Sequence, residues 1–71
     1  MKYKVGDKVK IKKNLISDKR YGFYFFFKEM DPYKGQTVTI AKAEDKYDCY
    51  TIKEDNGEFY WNDAMIEEKE K

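Results

Sequence analysis

The residues of this chain that could do chemistry are few, and they lack the partners that catalysis needs. The 71-residue sequence has no His and a single Cys, Cys49, so the thiol has no imidazole to activate it. Ser17 lacks a general base, and the carboxylates do not follow the spacing of a calcium-binding loop. We therefore predict that the protein is not an enzyme and holds no cofactor or metal ion. Cys49 is expected to be a small buried hydrophobic residue.

Binding chemistry is better represented, because six of the seven residues in Tyr21–Phe27 are aromatic. Alternate residues of an extended strand point to opposite faces, which places Tyr24 and Phe26 on one face and the other rings of the stretch on the second. We predict that Tyr24 and Phe26 face outward and that the opposite face closes the core. The rings predicted to bind a protein partner are Tyr21, Tyr24, Phe26, Tyr33 and Tyr60. In a chain this small, at least half of these rings are instead expected in the core, to which we also mainly assign Phe59, Trp61 and Met65.

A second candidate binding feature is a basic strand near the N-terminus. Residues 1–20 hold eight Lys or Arg against two Asp. The residues that could contact the phosphates of a nucleic acid are Lys8, Lys10, Lys12 and Lys13. The favoured alternative is that these lysines lie on an edge strand and prevent edge-to-edge aggregation, because the net charge of the whole chain is only +1.

The elements that must position these residues are short strands separated by turns. Val9 and Ile11 alternate with lysines, as in a half-buried strand. Further strands are predicted over 37–42, 47–54 and 58–61, with a single helical turn before Pro32 and another near residues 62–65. Asn56-Gly57 favours a tight hairpin between the last two of these strands.

This order of elements predicts an all-β fold, a small SH3-like five-stranded barrel with a long aromatic first loop and a short 3₁₀ turn near the C-terminus. Residues 1–66 form the single predicted domain, and residues 67–71 form a charged, frayed tail. No stretch is long and apolar enough to span a membrane, and the N-terminus lacks the apolar segment of a signal peptide. We therefore expect a cytoplasmic protein that does not contact a membrane.

The chain also resembles a set of small uncharacterised SH3-like barrel proteins of Gram-positive phages and prophages. The resemblance covers residues 5–66 and rests on Val5-Gly6-Asp7-Lys8-Val9-Lys10-Ile11, Leu15, Tyr21-Gly22, Met30, Tyr33, Gly35, Thr39-Ile40 and Tyr60-Trp61-Asn62-Asp63-Ala64-Met65. The chain departs from the pattern where Gln36 replaces Lys and where Asn62 and Ala64 replace Thr and Glu. The resemblance implies fold and phage origin, and it implies no activity.

The expected function is therefore that of a non-enzymatic phage accessory module that contacts a host or phage protein through the aromatic stretch. We also expect the protein to act as an oligomer. One alternative is nucleic-acid binding by the basic strand and neighbouring rings. A further alternative is sequestration of a nucleotide-like small molecule in an aromatic pocket.

Overall fold

The computed structural model describes residues 2–69 of the chain. Within this range the strands are β1 (Lys8–Ile11), β2 (Lys19–Tyr21), β3 (Tyr24–Phe26), β4 (Thr37–Glu44), β5 (Cys49–Ile52) and β6 (Ile66–Lys69). Three 3₁₀ helices span Lys28–Tyr33, Asp45–Tyr47 and Asp63–Met65. No helix in the described range is long and apolar enough to cross a membrane. The 3₁₀ turn predicted near the C-terminus is confirmed.

Two antiparallel sheets make up the fold. β1 is an inner strand of a four-stranded sheet with the order β5-β4-β1-β6, and β2 pairs with β3 in a separate hairpin. At the β5 edge, Trp61 adds a single bridge to Tyr50. The described strands do not close into a barrel, so a mainly β and compact fold is confirmed, whereas the five-stranded SH3-like barrel is not.

The core lies between the inner face of the large sheet and the segments that fold over it. β1 contributes Val9 and Ile11, which are fully buried as their alternation with lysines predicts. The other buried apolar side chains are Tyr3, Leu15, Phe26, Met30, Val38, Ile40, Cys49, Tyr50, Ile52, Trp61, Met65 and Ile66. Trp61 contacts two of the segments that fold over the sheet, because the rings of Tyr33 and Phe26 both meet it edge-on, at centroid distances of 5.7 and 6.1 Å.

The predicted Asn56-Gly57 hairpin is replaced by a loop that wraps around one buried carboxylate. Asp55 is only 6% exposed. It accepts hydrogen bonds from the Gly57 and Phe59 backbone N–H groups and from Trp61 Nε1, at 2.9, 3.3 and 3.1 Å. The carboxylate satisfies backbone donors that a sheet ladder would otherwise use, so residues 58–60 do not form the predicted strand.

The aromatic first loop folds back on itself because Gly22 opens a two-residue turn. Gly22 has a φ of +66°, and Tyr21 pairs with Tyr24 on either side of the turn, as in a type II′ hairpin. A Cβ atom at Gly22 would lie 3.1 Å from Asn62 Nδ2. The same Nδ2 donates a 2.7 Å hydrogen bond to the Tyr21 carbonyl oxygen, which fastens the hairpin to the C-terminal half of the fold.

Two predicted boundaries are wrong. Pro32 does not end the helical turn before it, since it lies inside the 3₁₀ helix Lys28–Tyr33. Residues 67–69 are not a frayed tail, because they belong to β6 and pair with β1, with Glu68 opposite Lys10. Residues 70 and 71 of the predicted tail lie outside the described range.

Candidate functional site

The prediction that Phe26 faces a partner is wrong, and the outer face of the hairpin is the opposite one. Phe26 is fully buried against Trp61, whereas the adjacent Phe25 is 42% exposed. Phe25 pairs across the hairpin with Arg20, whose guanidinium lies 5.4 Å from the Phe25 ring centre. Phe25 and Phe26 alternate as predicted, but the core takes the face that carries Phe26. Tyr21 departs from the prediction, because the turn at Gly22 pairs it with Tyr24 and so places the two on the same face.

The other rings predicted to bind a partner are not all brought together. Tyr24 is half-buried and Tyr60 is exposed, and their ring centres are 5.9 Å apart. Tyr21 is turned toward the inner face of the hairpin, where its hydroxyl accepts a hydrogen bond from the Ile16 N–H group. Tyr33 packs on Trp61 and donates to the Glu54 carbonyl oxygen. Only Tyr24 and Tyr60 of the predicted set therefore share one surface.

A phenylalanine groove of about 450 Å³ runs along the outer face of the hairpin. Its lining residues, some shared with the neighbouring cleft, are Phe23, Tyr24, Phe25, Phe27, Glu58, Phe59 and Tyr60. Phe25 and Phe59 flank Phe27 at centroid distances of 6.0 and 6.3 Å. Phe23, at the tip of the hairpin, is 88% exposed. The groove therefore offers a continuous row of rings to a ligand.

A tyrosine cleft of about 340 Å³ adjoins this groove, and the two share Tyr24 and Tyr60. Its other lining residues are Tyr47, Cys49 and Glu44. We call the phenylalanine groove and the tyrosine cleft together the aromatic surface. Each volume falls within the range typical of ligand sites in proteins, about 300–1,000 Å³.

Tyr24 holds the tyrosine cleft in shape. Its hydroxyl donates a 2.6 Å hydrogen bond to the Tyr47 carbonyl oxygen and so ties the hairpin to the 3₁₀ helix Asp45–Tyr47. A side-chain hydrogen bond with Cys49, reinforced by burial of the hydroxyl, raises the pKa of Tyr24 to about 12. The hydroxyl therefore keeps its proton, and its bond to the Tyr47 carbonyl oxygen, to a higher pH than an ordinary tyrosine would.

The charged residues that line the aromatic surface are carboxylates. Glu44 lines the tyrosine cleft and Glu58 lines the phenylalanine groove, while no Lys or Arg is among the described lining residues of either. Glu44 pairs with Lys42 at 3.0 Å, and this hydrogen bond raises the pKa of Lys42. The Lys42 side chain is 69% exposed, so its pairing with Glu44 is a surface ion pair of small energy.

The basic strand is not the edge strand that the favoured interpretation required. β1 lies between β4 and β6, so its lysines do not protect a sheet edge. Lys10 and Lys12 are half-buried, and Lys8 and Lys13 are exposed. β6 places Glu68 directly opposite Lys10, which interleaves acid with base on this face and weakens its attraction for phosphates.

Lys12 also lines a separate cleft, together with Asn14, Leu15, Ile16, Lys19, Tyr21 and Glu67. This cleft shares no lining residue with the aromatic surface. The lysines and the exposed rings of Phe23, Phe25 and Tyr60 thus line different clefts. The ring that lies beside Lys12 and Lys19 is that of the half-buried Tyr21.

Cys49 is 2% exposed, as expected for a small buried hydrophobic residue. Within residues 2–69, no three Cys, Asp or Glu side chains come together in a way that could hold a metal ion. The Cys49 thiol faces the Tyr24 hydroxyl on the floor of the tyrosine cleft.

Of the residues that line the aromatic surface, the sequence predicted Tyr24 and Tyr60 as partner-binding. The rings of Phe23, Phe25, Phe27 and Phe59 were expected toward the core, and Tyr47, Glu44 and Glu58 were not among the predicted site residues. Tyr47 was expected inside a strand, but Asp48 adopts a left-handed conformation with a φ of +53° and separates Tyr47 from β5. Glu44 and Glu58 carry no sequence signal that distinguishes them from the other acidic residues of turns and strand ends.

No protein-family model matches this chain, and neither the curated proteins nor the solved structures include a similar one. Its function is therefore inferred from the geometry and charge of the aromatic surface.

Proposed function

We propose that the protein is a non-enzymatic binding module whose aromatic surface docks an extended segment of another protein. The observation that carries this proposal is the exposure of large rings on one side of a small fold. The rings that are at least 42% exposed there are Phe23, Phe25, Phe27, Tyr47 and Tyr60. Contiguous apolar area of this kind is typical of interaction sites, and aromatic residues supply much of the binding energy at such sites.

An extended segment suits this surface better than a second copy of the chain. In a symmetric dimer each surface would meet itself, which would bring the Glu58 carboxylates and the Lys42–Glu44 ion pairs of two copies into one poorly hydrated interface. Like charges at an interface are unfavourable. A groove and a cleft that run side by side and share two tyrosines instead match a chain with alternate side chains directed into adjoining pockets.

The proposal includes an SH3-like relationship and the phage or prophage origin that the sequence resemblance implies. The order β6-β1-β4-β5 followed by Trp61, the long first connection and the 3₁₀ helix before β6 support an SH3-like arrangement. In that arrangement the hairpin β2–β3 occupies the first long loop, and the aromatic surface lies between this loop and the connection from β4 to β5. The partner would then be a host or phage protein.

The experiment that tests the proposal is selection from a displayed library of random peptides, followed by calorimetric titration of the enriched sequence. Peptides of about 12 residues can cross the 26 Å width of the protein, because an extended chain rises about 3.3 Å per residue. The double variant Phe25→Ser, Tyr60→Ser should lose binding by about tenfold or more. The matched control is Val5→Ser, Ile16→Ser, which also removes two exposed apolar side chains but from outside the aromatic surface, and it should bind normally.

Two results would overturn the proposal. Equal binding by the two double variants would show that the peptide lies elsewhere. A solution mass of a dimer for the native chain and of a monomer for the Phe25→Ser, Tyr60→Ser variant would show that a second copy occupies the surface.

A further inference from the structure

We propose that the tyrosine cleft binds the cationic end of an arginine side chain from the docked segment. This inference rests on the proposed function and adds the chemistry of the partner. The phenylalanine groove would take the apolar neighbours of that arginine, and the cleft would set which segment is accepted.

The cleft has the ring geometry that a cation needs. Tyr24 and Tyr60 present rings tilted by 50° with centres 5.9 Å apart, and Tyr47 closes another side. A cation within about 6 Å of an aromatic ring centre is attracted by the electron density of the ring face. The chain already uses neighbouring rings in this way, since Arg20 lies over Phe25 and Lys46 lies over Tyr47, at 5.4 and 5.6 Å.

The cleft is also rigid before a ligand arrives. The Tyr24 hydroxyl is held by the Tyr47 carbonyl oxygen at 2.6 Å, and the buried Cys49 lies beneath it. A ligand therefore does not have to order the ring of Tyr24 on binding, which reduces the entropic cost of association.

Charge selects a cation over an anion. Glu44 is the charged residue among the described residues that line the cleft, and the nearby Asp48 carboxylate helps raise the pKa of Tyr24 through its negative charge. The phosphates of a nucleotide would meet the Glu44 carboxylate, and no Lys or Arg is among the described lining residues, so the lining itself disfavours the nucleotide-like ligand considered from the sequence. Arginine fits better than lysine, because its planar guanidinium can stack on a ring and donate two parallel hydrogen bonds to one carboxylate.

Lys42 does not block this site. Its ammonium group pairs with Glu44 at 3.0 Å, its side chain is 69% exposed, and it lies near enough to Tyr60 for that residue to contribute to the raised pKa of Lys42. An exposed pair of this kind contributes little to stability. An incoming guanidinium can therefore replace Lys42 on the Glu44 carboxylate, while Lys42 returns to water.

The test is an NMR titration of the ¹⁵N-labelled protein with N-acetyl-arginine amide and, separately, with N-acetyl-citrulline amide, which has nearly the same shape but no charge. We expect saturable shifts at the amides of residues 44–49, 24 and 60 with the arginine probe. Its dissociation constant should be millimolar, as is usual for so small a fragment, and at least fivefold lower than that of citrulline. Glu44→Gln should weaken arginine binding about fivefold, and the control Glu68→Gln, on β6, should leave it unchanged.

Equal affinity for the two probes, or saturable shifts confined to other residues, would overturn the inference. So would the absence of any saturable shift. These outcomes are separate from those of the peptide selection: peptides that bind through Phe25 but carry no basic residue would leave the proposed function standing and remove the arginine site. Arginine binding in the cleft without any selected peptide would do the reverse.

Discussion

Phe25 and Phe26 are neighbours of the same type on opposite faces of one strand, and they should differ sharply in their contribution to stability. Phe26 is fully buried and meets Trp61 edge-on at 6.1 Å. Truncation of a buried Phe to Ala removes transfer energy and leaves a cavity, at a cost of about 3–5 kcal/mol. Phe25 is 42% exposed, so Phe25→Ala should cost about 1 kcal/mol.

The difference is large on the scale of this protein. A domain of 71 residues has a total stability of roughly 4–11 kcal/mol, so Phe26→Ala removes much of it. Urea unfolding followed by far-UV circular dichroism measures both losses without relying on the fluorescence of Trp61, which Phe26 contacts. Phe26→Leu serves where Phe26→Ala does not fold, and it should cost about 1–1.5 kcal/mol.

Equal losses for Phe25→Ala and Phe26→Ala, or a larger loss at Phe25, would contradict the orientation of the hairpin. The outer face would then be the one predicted from the sequence. The phenylalanine groove would not exist in the form described, and the aromatic surface would have to be redrawn around Phe26.

Three further predictions concern other features of the fold. Asp55→Ala should lower the free energy of urea unfolding by about 3 kcal/mol, because Trp61 Nε1 and two backbone donors lose their buried acceptor. Asp55→Asn keeps one acceptor oxygen and should lower it by less. A loss below about 1 kcal/mol for Asp55→Ala would refute this role of Asp55. Gly22→Ala should cost about 1–3 kcal/mol in thermal unfolding, because Ala is strained at a φ of +66° and its Cβ lies 3.1 Å from Asn62 Nδ2. Gly57→Ala, with a φ of +74° but open space around the Cβ, should cost less, and the reverse order would be inconsistent with the hairpin turn. Stability should fall as pH rises from about 10 to 12, because hydrogen bonds and burial raise the pKa values of Tyr24 and Tyr50 above the ordinary tyrosine value of about 10. The unfolded chain therefore loses those protons first, and a flat urea midpoint over this range would contradict these environments.

The alternation of residue types predicted the elements that lie in the regular sheet. Val9 and Ile11 are buried between lysines, and the strand expected from Thr37 is β4. Period-two patterns of this kind report which face of a strand meets the core. The 3₁₀ helix Asp63–Met65 also lies where a short helical turn was expected.

The aromatic stretch could not be oriented in the same way, because both of its faces are apolar. The two-residue turn at Gly22 placed Tyr21 across from Tyr24, and long-range contacts with Trp61 and Asn62 then selected the inner face. No local pattern in the sequence contains these contacts. The apolar alternation within the stretch therefore predicted two faces without saying which one is covered.

Asp55 shows a second limit of sequence reasoning. The dipeptide Asn56-Gly57 favours a tight hairpin. The buried Asp55 carboxylate instead accepts hydrogen bonds from the backbone N–H groups of Gly57 and Phe59. The acceptor role of Asp55 depends on Trp61, which lies six residues further along the chain and donates a hydrogen bond from its Nε1. The competition between a sheet ladder and a side-chain acceptor is decided by that packing.

The most direct test of the docking surface is a map of amide chemical shifts in the ¹⁵N-labelled protein when a library-selected peptide is added. We expect the perturbed amides to cluster at residues 23–27, 44–49 and 58–60, on the side that exposes Phe25 and Tyr60. Perturbations that instead cluster on β1 and β6, at Lys8, Lys10 and Glu68, would contradict the proposed docking surface and assign binding to the charged face of these two strands.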